Sequence, residues 1–140
     1  NHFFNWFTSG ITINGSYYNH VLEWYNFKKT HSNQIMFLYY EDMVYNFKDC
    51  IRKVAKFLNV DTKLSETDIN DIEKLCSFSF MKNESKSKKI HLSPEFFRQG
   101  KVNDWKNYLN ESQSKYLDEL TFARLYNTDI KYFKQLSSKL

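Results

Sequence analysis

The 140 residues are enough for one domain with a hydrophobic core, and aromatic side chains make up 19% of them. The net charge of +4 suits an anionic ligand, but it is too small and too scattered to indicate a nucleic-acid-binding protein. One proline and three glycines argue against a turn-rich all-β protein, and no run of 18 apolar residues is present. We therefore expect a globular chain that binds neither nucleic acid nor a membrane.

The first part of the chain alternates between helical and strand-like patterns. Apolar residues recur at helical spacing after Gly15, which predicts a helix over residues 16–31. Residues 34–40 form a nearly continuous apolar run that is typical of a strand buried on both faces of a parallel sheet. Since one strand cannot make a sheet, we expect its neighbours to come from upstream or from another chain.

Two helices are predicted next. Residues 46–58 carry a strong amphipathic pattern, and residues 65–75 begin with a serine cap that Asp68 completes as a capping box. Cys50 and Cys76 lie far apart in such amphipathic stretches. They are therefore interpreted as buried free thiols, not as a disulfide or a metal site.

A long loop and a last helix complete the predicted elements. Residues 82–104 hold many asparagines, serines and lysines together with the single proline, so a long loop is expected there, and such loops are usually functional or mobile. Asn110 and Gln113 resemble a helix start, and the helical pattern continues to about Tyr126.

Residues 96–106 are the most informative segment for function. Arg98 offers a rigid fork of donors that fits a phosphate, and Gly100 lets backbone N–H groups approach an anion closely. The segment closes on Asp-Trp-Lys, so the alternative from these residues alone is a basic turn capped by a buried tryptophan. The rest of the chain must decide between the phosphate-binding turn and this alternative.

Four segments resemble, in order, landmarks of the C-terminal half of the cytosolic sulfotransferase family. They are Gly15-Ser16-Tyr17-Tyr18-Asn19-His20-Val21 with Trp24, Phe37-Leu38-Tyr39-Tyr40-Glu41-Asp42-Met43, Cys76-Ser77-Phe78 with Met81-Lys82-Asn83, and Phe97-Arg98-Gln99-Gly100 with Asp104-Trp105-Lys106. Each segment alone is a weak signal. The ordered set extends over nearly the whole chain and is highly specific.

The resemblance implies an α/β fold, in which residues 1–140 form the C-terminal portion of a single P-loop-like sulfotransferase domain. This portion would be mostly helical beside a parallel sheet. Such enzymes are cytoplasmic and move a sulfuryl group from 3′-phosphoadenosine 5′-phosphosulfate (PAPS) to a hydroxyl or amine of a small acceptor. In the family the phosphosulfate loop and the catalytic histidine lie upstream. No catalytic residue and no metal ligand is therefore expected here, and the segment alone should be inactive.

The resemblance also implies the residues that bind the nucleotide. Arg98 and Gly100 would grip its 3′-phosphate, Tyr40 would contact the adenine end, and Phe78 would stack on the adenine. The remaining candidates are Cys76, Ser77, Met81, Phe97 and Gln99. From the residues alone, Tyr40 and Phe78 are also compatible with core positions.

The chain departs from the family pattern at three positions within two of these landmarks. Gln99 stands where the family has lysine, which removes a cation that Lys101 would replace. Asn103 stands for a glycine, and asparagine tolerates left-handed backbone better than most residues. Cys76 stands for a threonine and is a poorer hydrogen-bonding partner for adenine.

Other functions stay open at this stage. The departures permit a non-catalytic nucleotide-binding or scaffold protein derived from this fold. Glycosylation-type triplets at Asn14, Asn83 and Asn110 permit a lumenal sulfotransferase of the Golgi type. The family's dimer motif after Lys106 is degraded, which argues against the usual homodimer. The acceptor cannot be identified from these residues.

Overall fold

The computed structural model describes residues 2–87 and 97–131, and their regular structure is helical. The helices are α1 (His2–Ser9), α2 (Tyr17–Thr30), α3 (Tyr40–Tyr45), α4 (Phe47–Phe57), α5 (Glu66–Leu75), α6 (Phe78–Ser87) and α7 (Glu111–Leu125), with short 3₁₀ helices at Asp61–Lys63 and Asp104–Asn107. The chain divides into two compact units, one formed by Asn1–Met36 with Trp105–Leu140 and the other by Phe37–Asp104.

The first unit packs α1 and α2 against α7. Tyr18 of α2 and Leu125 of α7 are buried at its centre, and the Tyr18 hydroxyl shares a hydrogen bond of 2.9 Å with the hydroxyl of Thr121. Burial raises the pKa of Tyr18 above its ordinary value. The tyrosine is therefore an internal tie between two helices, with its one polar atom satisfied.

Capping explains where the helices of the first unit begin. The Ser16 hydroxyl accepts a hydrogen bond from the backbone N–H of Asn19, which starts α2. At the start of α7, the side chains of Asn110 and Gln113 each accept a hydrogen bond from the other's backbone N–H. Both starts confirm the predictions from sequence.

The second unit is a chain of contacting helices from α3 to α6. Among its described residues, the buried side chains come from α4 and α5 and are Cys50, Ile51, Ala55 and Ile69. The predicted capping box of α5 is present, because the Asp68 side chain accepts from the Ser65 backbone N–H (2.8 Å) and the Asp68 N–H donates to the Ser65 hydroxyl (3.2 Å).

Two ion pairs connect the exposed faces of α4 and α5. Arg52 of α4 donates to both carboxylate oxygens of Glu66, at 3.0 and 2.8 Å. The Lys48 ammonium lies 3.3 Å from a carboxylate oxygen of Glu73. Half-exposed pairs of this kind add little to stability, so the buried apolar side chains determine how the two helices pack.

The structure leaves one prediction from sequence unconfirmed and corrects two others. Residues 35–39 do not form a strand with any described residue, and Tyr40 starts α3. A strand requires hydrogen bonds to a neighbouring strand, and the described residues provide no such neighbour. The predicted loop over residues 82–104 is also too long, because α6 continues to Ser87, while residues 88–96 lie outside the described ones. Cys76 is exposed, in contrast to the buried Cys50.

Candidate functional site

A cavity of about 420 Å³ lies within the second unit. Six of the nucleotide-binding candidates predicted from sequence line it, namely Tyr40, Cys76, Ser77, Phe78, Met81 and Gly100. They come from the start of α3, the junction of α5 with α6, and the turn at residues 97–100. The fold therefore brings Tyr40 and Gly100, which are 60 positions apart in the sequence, to the wall of one cavity.

Ser77 builds the junction between α5 and α6. Its hydroxyl donates to the Lys74 carbonyl oxygen at 2.8 Å and accepts from the backbone N–H of Phe80 at 3.3 Å, as a helix-capping side chain does. This capping places Phe78 at the first position of α6, where its ring lines the cavity. Ser77 therefore shapes the cavity through the backbone, since its hydroxyl is already engaged by the protein.

Gly100 lies directly against the ring of Phe78. Its φ of +62° is in the left-handed region, and a Cβ added there would come within 2.4 Å of a ring carbon of Phe78. The ring of Phe97 also meets that of Phe78 edge to face, with centroids 5.9 Å apart. The position therefore requires glycine for two reasons, its backbone conformation and the room taken by the ring.

Arg98 is held by a buried carboxylate. Its guanidinium forms an ion pair with Asp104, whose side chain is 9% exposed, whereas the side chain of Arg98 is 49% exposed. Asn103, just before this aspartate, has a φ of +67°, so it adopts the left-handed backbone that was expected where the family has glycine. The guanidinium is thus anchored on its protein side while about half of the side chain faces solvent.

The other candidates of this turn lie beside the cavity. Arg98, Gln99 and Phe97 are not among the residues that line it, although Phe97 contacts the lining ring of Phe78. Gln99 and Lys101 are exposed. The structure therefore separates an aromatic cavity from a neighbouring turn that carries the cationic side chain.

Sequence reasoning did not include four lining residues among the site candidates, namely Met43, Val44, Phe47 and Glu73. Glu73 lies three residues before Cys76, the spacing at which helical neighbours share a face, so this signal was present in the sequence. The apolar members were hidden because an apolar side chain on an amphipathic helix is equally expected in a core.

No group of three metal-ligating side chains comes together within residues 2–87 and 97–131. In the same part of the chain, no helix is both long and apolar enough to cross a membrane.

The sequence model of the sulfotransferase domain family matches residues 1–129 of the chain. The chain belongs to the sulfotransferase family. Sulfotransferase 6B1 of Danio rerio is 33% identical over 128 residues, which cover 91% of this chain and 42% of that protein. Cytosolic sulfotransferase 1 of Danio rerio is 30% identical over 139 residues, covering 94% and 45%. The chain thus spans less than half the length of these curated relatives.

Solved sulfotransferase structures share the fold. Mouse sulfotransferase SULT7A1 complexed with PAP superposes with a TM-score of 0.82 at 27% identity, covering 99% of this chain and 51% of that one. Retinol dehydratase, in complex with androsterone and the inactive cofactor PAP, gives a TM-score of 0.79 at 28% identity, covering 93% and 39%. Members of this family use PAPS as co-substrate, and the recognition made from the four sequence landmarks is confirmed.

Proposed function

We propose that this chain forms the adenine and 3′-phosphate side of the PAPS site of a sulfotransferase. The observation that supports it is the cavity of about 420 Å³, which is lined by residues from three separate landmarks of the family. Their side chains suit a nucleobase, since a ring such as Phe78 can stack on any base. PAP, which the two similar structures hold, is the product that PAPS leaves after transfer.

Within this proposal, the two parts of the site bind different parts of the nucleotide. Tyr40, Cys76 and Met81 enclose the base that stacks on Phe78. The half-exposed Arg98 takes the 3′-phosphate with its guanidinium, which the ion pair with Asp104 holds in position. Gly100 has no side chain to obstruct an anion, so in this proposal its N–H approaches the same phosphate.

The reaction proposed for the whole protein is transfer of the sulfuryl group of PAPS to a hydroxyl or amine of a small acceptor. The residues of this chain contribute binding and positioning, which by analogy with phosphoryl transfer provide most of the rate. We place the enzyme in the cytoplasm, which the names of its cytosolic relatives support.

Calorimetric titration of the full-length protein with PAP tests the proposal. Replacing Arg98 by alanine should lower the affinity for PAP by about 10- to 150-fold, because a charge-assisted hydrogen bond is worth ~1.5–3 kcal/mol. Adenosine 5′-monophosphate lacks the 3′-phosphate, so its affinity should change little. Arg52→Ala is the matched control, since Arg52 is a partly exposed, ion-paired arginine of the same unit that does not line the cavity.

A folded protein that fails to bind PAP would overturn the proposal. Equal losses for PAP and for adenosine 5′-monophosphate in Arg98→Ala would overturn the assignment of the 3′-phosphate to this arginine.

A non-catalytic nucleotide-binding or scaffold protein is the second candidate. Gln99, which stands where the family has a lysine, favours it because the phosphate turn then carries one cation fewer. PAP binding without any sulfuryl transfer to a panel of phenols, alcohols and amines would support this candidate over the enzyme.

A further inference from the structure

Glu73 is the acidic residue among those that line the cavity. It lies on α5, three residues before Cys76 and close to the helix end. Its carboxylate is 3.3 Å from the ammonium of Lys48, and 46% of its side chain is exposed. The ion pair restrains the carboxylate at the cavity wall and offsets part of its charge, which makes an acid next to a nucleotide site tolerable.

The neighbouring polar groups offer weaker acceptors. The Ser77 hydroxyl already donates to the Lys74 carbonyl oxygen and accepts from the Phe80 N–H. The Cys76 thiol is a poor hydrogen-bonding group. An ionised carboxylate, in contrast, is a strong acceptor with no hydrogen to donate. Glu73 therefore gives this part of the wall a marked preference for a ligand that presents a donor.

We infer that Glu73 selects the purine base by accepting a hydrogen bond from the 6-amino group of adenine. Adenine carries a donor at this position, whereas guanine and hypoxanthine carry a carbonyl oxygen, which the carboxylate would repel. A ring stacked on Phe78 gives no such discrimination, because every base has a face that can stack. The inference rests on the proposed function, in which this cavity holds the base.

The test compares PAP with its inosine counterpart, 3′-phosphoinosine 5′-phosphate, by titration of the full-length protein. The two ligands differ in the 6-substituent and keep the same phosphates. The wild-type protein should bind the inosine ligand about 10- to 100-fold more weakly, the range for a hydrogen bond to a charged group. In Glu73→Gln this ratio should fall close to one, because an amide can turn either its oxygen or its NH₂ group to the base.

The ratio isolates base recognition from general electrostatics. Removing a negative charge near the phosphates strengthens both ligands alike, so that effect cancels. Glu66→Gln is the matched control, since Glu66 is also on α5 and also pairs with a cation of α4, but does not line the cavity. Its ratio should stay at the wild-type value.

Each remaining outcome is decisive. A wild-type protein that binds both ligands equally, or a Glu73→Gln variant that keeps the full preference for PAP, would overturn the inference while leaving PAP binding in place. A folded wild-type protein that binds neither ligand would instead contradict the proposed function, and the inference that rests on it would fail as well.

Discussion

The two units each contain a cavity of similar size, about 420 Å³ in the second unit and about 450 Å³ in the first. The cavity of the first unit is lined by Trp105, Leu109 and the first turns of α7, with lysines and carboxylates interspersed. That of the second unit collects residues from three family landmarks around the ring of Phe78. Volume therefore does not distinguish the two, whereas the chemistry of their walls does.

Two glycines with the same backbone conformation make the sharpest comparison between the units. Gly15 has a φ of +75° with nothing within 4 Å of an added Cβ, whereas at Gly100 the Cβ would meet the ring of Phe78. Gly15→Ala should cost about 1–3 kcal/mol of unfolding free energy for the left-handed backbone alone. Gly100→Ala should cost that amount plus a further ~1–3 kcal/mol for overpacking.

Urea denaturation of both variants measures the difference. Equal losses of unfolding free energy in the two variants would mean that the Phe78 ring moves aside without penalty, so that the cavity wall adapts to the added methyl group. The same Gly100→Ala protein should bind PAP more weakly, because a displaced ring can no longer stack on the base.

The next largest effect is expected on binding. Phe78→Ala should reduce the binding free energy of PAP by about 1–3 kcal/mol, the range for loss of one base-stacking ring. Leu109→Ala removes an apolar side chain from the other cavity and should leave PAP affinity unchanged. Calorimetric titration checks both, and a loss in Leu109→Ala as large as in Phe78→Ala would erase the functional distinction between the cavities.

The smallest effect concerns how the free energy of unfolding depends on acidic pH. Here too the units differ, because the capping box of α5 contains a titrating group and that of α7 does not. Hydrogen bonds from the side chain and backbone of Ser65 hold the pKa of Asp68 below its ordinary value of 3.8. A lowered pKa in the folded state gives stability that is present above pH 3.8 and is lost as the pH falls through the folded-state pKa. Asp68→Asn should therefore remove part of the acid sensitivity of unfolding.

The capping box of α7 provides the control for that experiment. It consists of Asn110 and Gln113, which do not titrate. Asn110→Ala should lower the unfolding free energy by about 0.5–2 kcal/mol at every pH. Urea denaturation between pH 2 and pH 7 would contradict this account if the cost of Asp68→Asn stayed constant over the range.

Helices with a capping signal were predicted well, since a cap acts through residues three positions apart. The starts at Ser16, Ser65 and Asn110 all appear in the structure. The structure of the apolar run at residues 34–40 was harder to predict, because a buried strand depends on neighbouring strands that a local sequence pattern does not contain. Helices α1, α3 and α6 were missed, as short helices rely on tertiary packing more than on propensity.

The site was predictable to the extent that residue type implies chemistry. Six lining residues and the left-handed Asn103 followed from comparison with the family pattern. The partner of Arg98 did not, because pairing with Asp104 depends on how the intervening turn folds back. The contact between Gly100 and Phe78 joins residues 22 positions apart, and a sequence pattern carries no information on such distances.

The two cysteines give the protein a built-in pair of chemical reporters. Cys50 is 3% exposed and can be alkylated only after α4 leaves its packed position. Cys76 is exposed and lines the cavity of the second unit. An uncharged maleimide applied to the native protein would therefore label the cavity first, and the slower labelling of Cys50 would follow the opening of the core. Followed at these two cysteines, one labelling time course thus reports cavity occupancy and the unfolding of α4 separately.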